Sequence, residues 1–166
     1  EKKKSKDAYF YNKQGEQFST GLGCAQLLFT YDDKGALIKV GYANTNGERV
    51  TTTHKDYETR FKYDSGKKPI EIANYGKDDS LMVDVTGIAK TTYKMDDKGR
   101  VTEARHFGSD ESLKEKNTPK LQADRVLTAI SAGAITKYTY DGDNMMPSKI
   151  AFYGKDEQPL GIKAWG

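Results

Sequence analysis

The sequence is short of the residues that staple chains or span membranes. Cys24 is the one cysteine, so no intramolecular disulfide can form. No window approaches the ~20 consecutive apolar residues of a membrane-spanning helix, and no membrane span is expected. Only two histidines occur, His54 and His106, with no His-x-x-x-His pair and no cysteine companion, which argues against zinc. Gly-x-Ser-x-Gly, Walker A and dinucleotide fingerprints are all missing. Charge of one sign is scarce too. The 27 basic and 24 acidic residues leave +3, without the concentrated basic excess of a nucleic-acid binder. Lys2, Lys3, Lys4 and Lys6 form the one basic run, read as a solvated tail over residues 1–6.

With 36% hydrophobic and 31% charged residues, the core must be thin. What the chain does have is tyrosine: 11, against 6 phenylalanines and 1 tryptophan. Tyrosine joins a large apolar ring to a polar tip and suits a half-buried sheet face.

The tyrosines mark a repeat. Phe29-Thr-Tyr31-Asp32-Asp-Lys-Gly35, Phe61-Lys-Tyr63-Asp64-Ser-Gly66, Tyr93-Lys-Met95-Asp96-Asp-Lys-Gly99 and Tyr138-Thr-Tyr140-Asp141-Gly-Asp-Asn144 superimpose, with aspartates at 32, 64, 96 and 141. The last spacing exceeds the first two by 13 residues. Tyr42, Tyr75-Gly76, Phe107-Gly108 and Tyr153-Gly154 form a second landmark, and Gly23-Cys-Ala25, Gly87-Ile-Ala89 and a looser Gly133-Ala134 a third. A fixed period of this kind marks an array of identical supersecondary units.

Each unit reads as strand, tight turn, strand, looser turn. The pairs Phe29/Tyr31, Phe61/Tyr63, Tyr93/Met95 and Tyr138/Tyr140 are two apart and share a face. Asp-x-x-Gly supplies turn chemistry. The return strands carry Val40, Ile72, Ala104 and Ile150, with Lys39, Glu71, Glu103 and Lys149 facing outward. The lengthened interval holds a helical pattern near 118–131, with Thr118 as N-cap, Pro119 after it, and an apolar stripe of Ala123, Val126, Leu127 and Ile130. The expected architecture is mainly β. It is a curved antiparallel sheet of about four stacked β-hairpin repeats over residues 7–166, with barrel closure left open. One α-helix is inserted near 118–131, within an insertion at about 113–131.

Tyr-Asp-x-x-Gly, followed a dozen residues later by an aromatic and a second turn, resembles the bacterial tandem hairpin repeats of YD-repeat (RHS-like) proteins in a short array. Met95 and Asp141-Gly142-Asp143-Asn144 depart from that motif. The resemblance implies a bacterial, exported, non-catalytic β array: periplasmic, an outer-membrane lipoprotein or secreted.

The candidate chemistry is sparse. The repeated aspartates are read as turn formers rather than convergent acids. Asp141-Gly-Asp143-Asn144 lacks the spacing and terminal glutamate of a calcium loop. Glu103 and Arg105 share a strand face as an ion pair, with His106 on the other. Cys24 takes an isoleucine position and reads as a small buried hydrophobe. No catalytic residue, cofactor or metal ligand is assigned. The aromatic stripe is read as the core of the array. Tyr42, Tyr75, Phe107, Tyr153 and Trp165 are the candidate binding surface. The expected function is a non-catalytic binding or scaffold module of a bacterial envelope or secreted protein, with a protein or glycan partner. A small hydrolase using Glu103, His106 or Asp143 beside the insertion, and a structural oligomer joined by edge strands, are the alternatives.

Overall fold

The computed structural model describes residues 4–116 and 133–164. Ten strands form one antiparallel sheet in strict chain order. They are β1 (Lys4–Tyr9), β2 (Gln26–Tyr31), β3 (Leu37–Ala43), β4 (Glu58–Tyr63), β5 (Pro69–Tyr75), β6 (Lys90–Met95), β7 (Val101–Phe107), β8 (Ile135–Thr139), β9 (Lys149–Tyr153) and β10 (Pro159–Ala164). β1 and β10 are its two edges, so the sheet is open and not a closed barrel. No helix occurs among the described residues. The helix expected at 118–131 lies outside them.

Four hairpins, β2–β3, β4–β5, β6–β7 and β8–β9, carry the repeat. Their registers pair Phe29 with Val40, Phe61 with Ile72, Tyr93 with Ala104 and Tyr138 with Ile150. Alternation therefore places the aromatic stripe and the return-strand aliphatics on one face, as expected. β1 pairs with β2 in the register by which β3 pairs with β4: Tyr9 faces Gln26 as Gly41 faces Glu58. Lys4 to Lys6 thus open an edge strand rather than belonging to a tail. Lysine on an edge discourages pairing with foreign strands, and this edge carries it.

One turn builds nearly every corner. Five-residue turns begin at 12, 20, 32, 44, 52, 64, 76, 84, 96, 108 and 154. In each, the first N–H donates to the fifth carbonyl and the fourth N–H donates to the first carbonyl. The fourth residue is left-handed every time, from Gly15 and Gly35 to Lys55, Lys67 and Glu157. This is a type I turn closed by a left-handed bulge residue, whose twist suits a hairpin. Side chains at the first position cap it: Asp32 Oδ1 accepts the N–H groups of Lys34 (2.9 Å) and Ala36 (2.7 Å), and Asp96 Oδ1 those of Lys98 (3.0 Å) and Arg100 (2.9 Å). The turn role of the repeated aspartates holds at 32, 64 and 96. At Asp141 the turn differs, with the N–H of Asn144 donating to the Asp141 carbonyl at 3.2 Å.

The repeat continues beyond 113. Leu113 bridges Phe107 as Leu81 bridges Tyr75, so the repeated pattern includes residue 113. The core also departs from expectation. Phe29, Phe61, Tyr93 and Tyr138 are only half-buried among the described residues. The fully buried side chains are small: Cys24, Ala25, Ala43, Ala73, Ala89 and Ala134, with Ile135 the largest. They line the end of the sheet where the eight-residue steps between turns fold the chain back on itself.

Candidate functional site

The second sheet face is charged, and its buried carboxylates are held by neighbouring cations. Burial alone would raise the Glu58 carboxyl. Arg60 Nε at 2.7 Å and Lys39 Nζ at 3.1 Å outweigh it and hold that carboxyl below the ordinary range, with Arg49 at 3.3 Å completing the group. Glu103 is treated alike by Arg105 at 2.7 Å and Lys94 at 3.0 Å. So Glu103, expected to face solvent, is buried beneath its partners. The Glu103–Arg105 pair itself is as expected.

Three of the candidate binding rings share this face. Arg60 lies 3.8 Å above Tyr75, Lys90 5.2 Å above Phe107 and Lys137 4.6 Å above Tyr153. Each ring is roofed by a cation of its own hairpin, which stabilises the cation but closes the ring to stacking. Tyr42 is not among them. Ala43 is the residue equivalent to Tyr75 and Phe107, because Ala43 bridges Arg49 as Tyr75 bridges Leu81. Tyr42 points to the opposite face, its hydroxyl 3.2 Å from Thr59 Oγ1. Burial pushes its phenol up to about 12, with the Asp56 carboxylate adding to the effect. Trp165 lies outside the described residues.

A polar ladder crosses the stripe face. Thr59 faces Asn74 at 3.3 Å and Thr91 faces His106 Nδ1 at 2.9 Å, each across one hairpin. His106 is buried. Burial, helped by the Lys116 charge and opposed by Asp84, lowers it to about 4, so it is neutral at physiological pH. Asp84, Thr91 and Lys116 also line a cavity of about 300 Å³. The residues of the hydrolase alternative do not converge. Glu103 and His106 lie on opposite faces of β7, and exposed Asp143 pairs with Lys98. No group of three metal-ligating side chains occurs among the described residues.

The hairpin tips hold the feature that sequence reasoning missed. Neighbouring hairpins pair over only three residues, such as Lys39–Gly41 with Glu58–Arg60, whereas partners within a hairpin pair over five or six. Adjacent tips are therefore not zipped by main-chain bonds. Between the tips of β2–β3 and β4–β5 lies a groove of about 560 Å³. Ala36, Ile38, Phe61 and Ile70 line it, among the carboxylates of Asp32, Asp33 and Asp64 and the lysines Lys34, Lys62 and Lys67. A signal was present in the sequence, since the residue closing each tip turn reads Ala36, Lys68, Arg100 down the repeat.

No protein-family model matches this chain, and no curated protein sequence matches it significantly.

Proposed function

We propose that this chain is a non-catalytic binding module that presents a repeated β frame to a partner protein. The observation that carries this reading is the division between constant and variable positions. The turns and the Phe29–Val40 type pairs recur unit after unit, while equivalent face positions change freely: Gly41, Ala73, Arg105; Tyr42, Asn74, His106. A frame kept constant under a varied surface is how repeat proteins build recognition faces. Among the partners considered, a protein fits better than a glycan. The rings a sugar would stack on, Tyr75, Phe107 and Tyr153, are already covered by Arg60, Lys90 and Lys137. The bacterial, exported setting rests on the Tyr-Asp-x-x-Gly resemblance and belongs to this proposal. The test is equilibrium binding against purified envelope proteins and an envelope glycan panel, run beside a panel of hydrolase substrates. Saturable binding of a protein without turnover supports the reading. Measurable hydrolysis with no binding overturns it.

One observation favours a second reading, a structural oligomer: β1 and β10 each leave one side unpaired among the described residues. Light scattering separates the two, because an edge-joined oligomer grows with concentration.

A further inference from the structure

The three grooves between successive hairpin tips are bounded by equivalent strand positions and filled differently. Between the second and third tips, Lys68 reaches across. Its Nζ donates to the main-chain carbonyls of Asp96 at 2.8 Å and Asp97 at 3.4 Å. Between the third and fourth tips, Lys98 Nζ donates to the Gly142 carbonyl at 3.3 Å, and Arg100 crosses beside it. Its Nη1 donates to the carbonyls of Gly142 and Asn144, both at 2.9 Å. Its guanidinium lies 4.4 Å from the centre of the Tyr140 ring, and its Nε is held by Asp96 Oδ2 at 2.7 Å. Residue 36 stands where Lys68 and Arg100 stand, last in the tip turn, and it is alanine. A groove of about 560 Å³ lies there, with Lys34, Lys62 and Lys67 as well as Asp32, Asp33 and Asp64 along its walls.

The fittings for a cation are nonetheless in place there. Tyr63 holds the pose of Tyr140: its hydroxyl donates to the Leu37 carbonyl at 2.8 Å, as that of Tyr140 donates to Val101 at 2.8 Å. No cation from this chain covers the Tyr63 ring among the described residues. Asp32 is the counterpart of Asp96, and its Oδ1 caps the turn in the same way. The carbonyls of Asp64 and Ser65 are the counterparts of those that hold Lys68. Ile38, Phe61 and Ile70 offer an apolar floor for an alkyl stem.

We infer that the groove between the first two hairpin tips is a receptor for an arginine side chain of a partner polypeptide, which takes the place that Lys68 and Arg100 occupy in the sister grooves. The inference rests on the binding-module reading and names its contact chemistry. A planar guanidinium can bond Asp32, lie on Tyr63 and reach main-chain carbonyls of the second tip together, as Arg100 does with Asp96, Tyr140 and the fourth tip two grooves along.

The experiment is a two-dimensional amide NMR titration of the whole chain with acetyl-Gly-Gly-Arg-Gly-Gly-amide, its glutamine counterpart and agmatine. The arginine peptide should give saturable shifts confined to residues 32–38 and 61–65, with a millimolar Kd as befits one side chain. The glutamine peptide should give none. Ala36→Arg should supply the cation in cis and abolish the shifts. Asp32→Asn keeps the turn, since Asn12 and Asn44 cap equivalent turns, and should weaken binding about fivefold. Unsaturable or scattered shifts, or equal binding by Ala36→Arg, overturn the inference. Agmatine binding more tightly than the peptide overturns the polypeptide source in favour of a free guanidinium compound. A partner protein that still binds Ala36→Arg at full strength sinks this site while leaving the module reading intact.

Discussion

The hydroxyl of Tyr63 donates to the main-chain carbonyl of Leu37 at 2.8 Å, and the two residues belong to different hairpins. The tyrosine of the Tyr-Asp motif is therefore a stitch. It fastens one tip to the next beyond the point where β3 and β4 cease to pair. Tyr140 does the same for Val101. Position 95 is methionine and has no hydroxyl to give, and there Lys68 crosses the gap instead. Tyr63→Phe removes one bond and keeps the ring. We expect a loss of about 0.5–1.5 kcal/mol in urea unfolding, with Tyr140→Phe similar. The two should add in the double variant, since they share no partner. No change in either would show that the tips are held by side-chain packing alone.

Two glycines separate a soft close contact from a hard one. A methyl group on Gly41 would lie 2.7 Å from Arg49 Cζ, the end of a side chain that stacks on Tyr57 and bonds Glu58. A methyl on Gly133 would lie 2.9 Å from the Tyr153 carbonyl oxygen and 3.2 Å from that of Ile135, both main chain. Gly41→Ala should cost about 1 kcal/mol as the guanidinium swings toward solvent. Gly133→Ala should cost about 2 kcal/mol or more, because the backbone must shift. Thermal and urea unfolding of the pair check the order, and the reverse order would contradict this packing.

The hairpin frame was legible in the sequence because its signals are local. Alternation paired Phe61 with Ile72 and Tyr93 with Ala104, and Asp at 32, 64 and 96 announced turns that its own carboxylate closes. The turns at Gly76 and Gly108 were harder to read. Their first residue cannot cap, and Asp78 and Asp110 two residues on do so instead, bonding the N–H groups of Ser80 and Ser112. Tyr42 was misplaced by a single residue, and a slip of one reverses the face of a strand residue. Lys4 and Lys6 read as a tail because charge outweighed the weak strand pattern around them. The groove is not a local signal, because it depends on how far neighbouring tips stand apart. Its signature is the side chain missing at Ala36.

Lys55 tests the cost of the shared turn. It sits at φ 76° where Gly23 and Gly87 sit in the turns equivalent by repeat. A side chain there is strained, while glycine relieves the strain and loosens the unfolded chain. Lys55→Gly should raise stability by about 0.5–1 kcal/mol net. Asp79→Gly should gain less, because Asp79 also pairs with Arg60, and its gain should grow with added salt as that pair is screened. Differential scanning calorimetry in low and high salt decides both. Destabilisation by Lys55→Gly would mean that the lysine makes a contact worth more than the strain.

His106 makes stability depend on pH in a direction its burial dictates. Its folded value, about 4, lies below the ordinary 6.5, so the unfolded chain takes up the proton first as pH falls. Above about pH 6.5 the imidazole is neutral in both states and contributes no pH dependence. Between 6.5 and 4 the unfolded state is progressively favoured, by up to about 3 kcal/mol at the lower end. Glu58 and Glu103, both held low in the fold, also lose stability in acid, but below the ordinary carboxylate range. The window between about 4.5 and 6.5 therefore belongs to His106. The repeat supplies the control residue, since Asn74 occupies the equivalent place and faces Thr59 as His106 faces Thr91. His106→Asn should keep a partner for Thr91 and remove the titration. Urea midpoints measured from pH 7.5 to 4.5 should fall for the native chain and stay nearly level for the variant. Parallel curves would mean that the imidazole charges within the fold, with Asp84 stabilising it against Lys116.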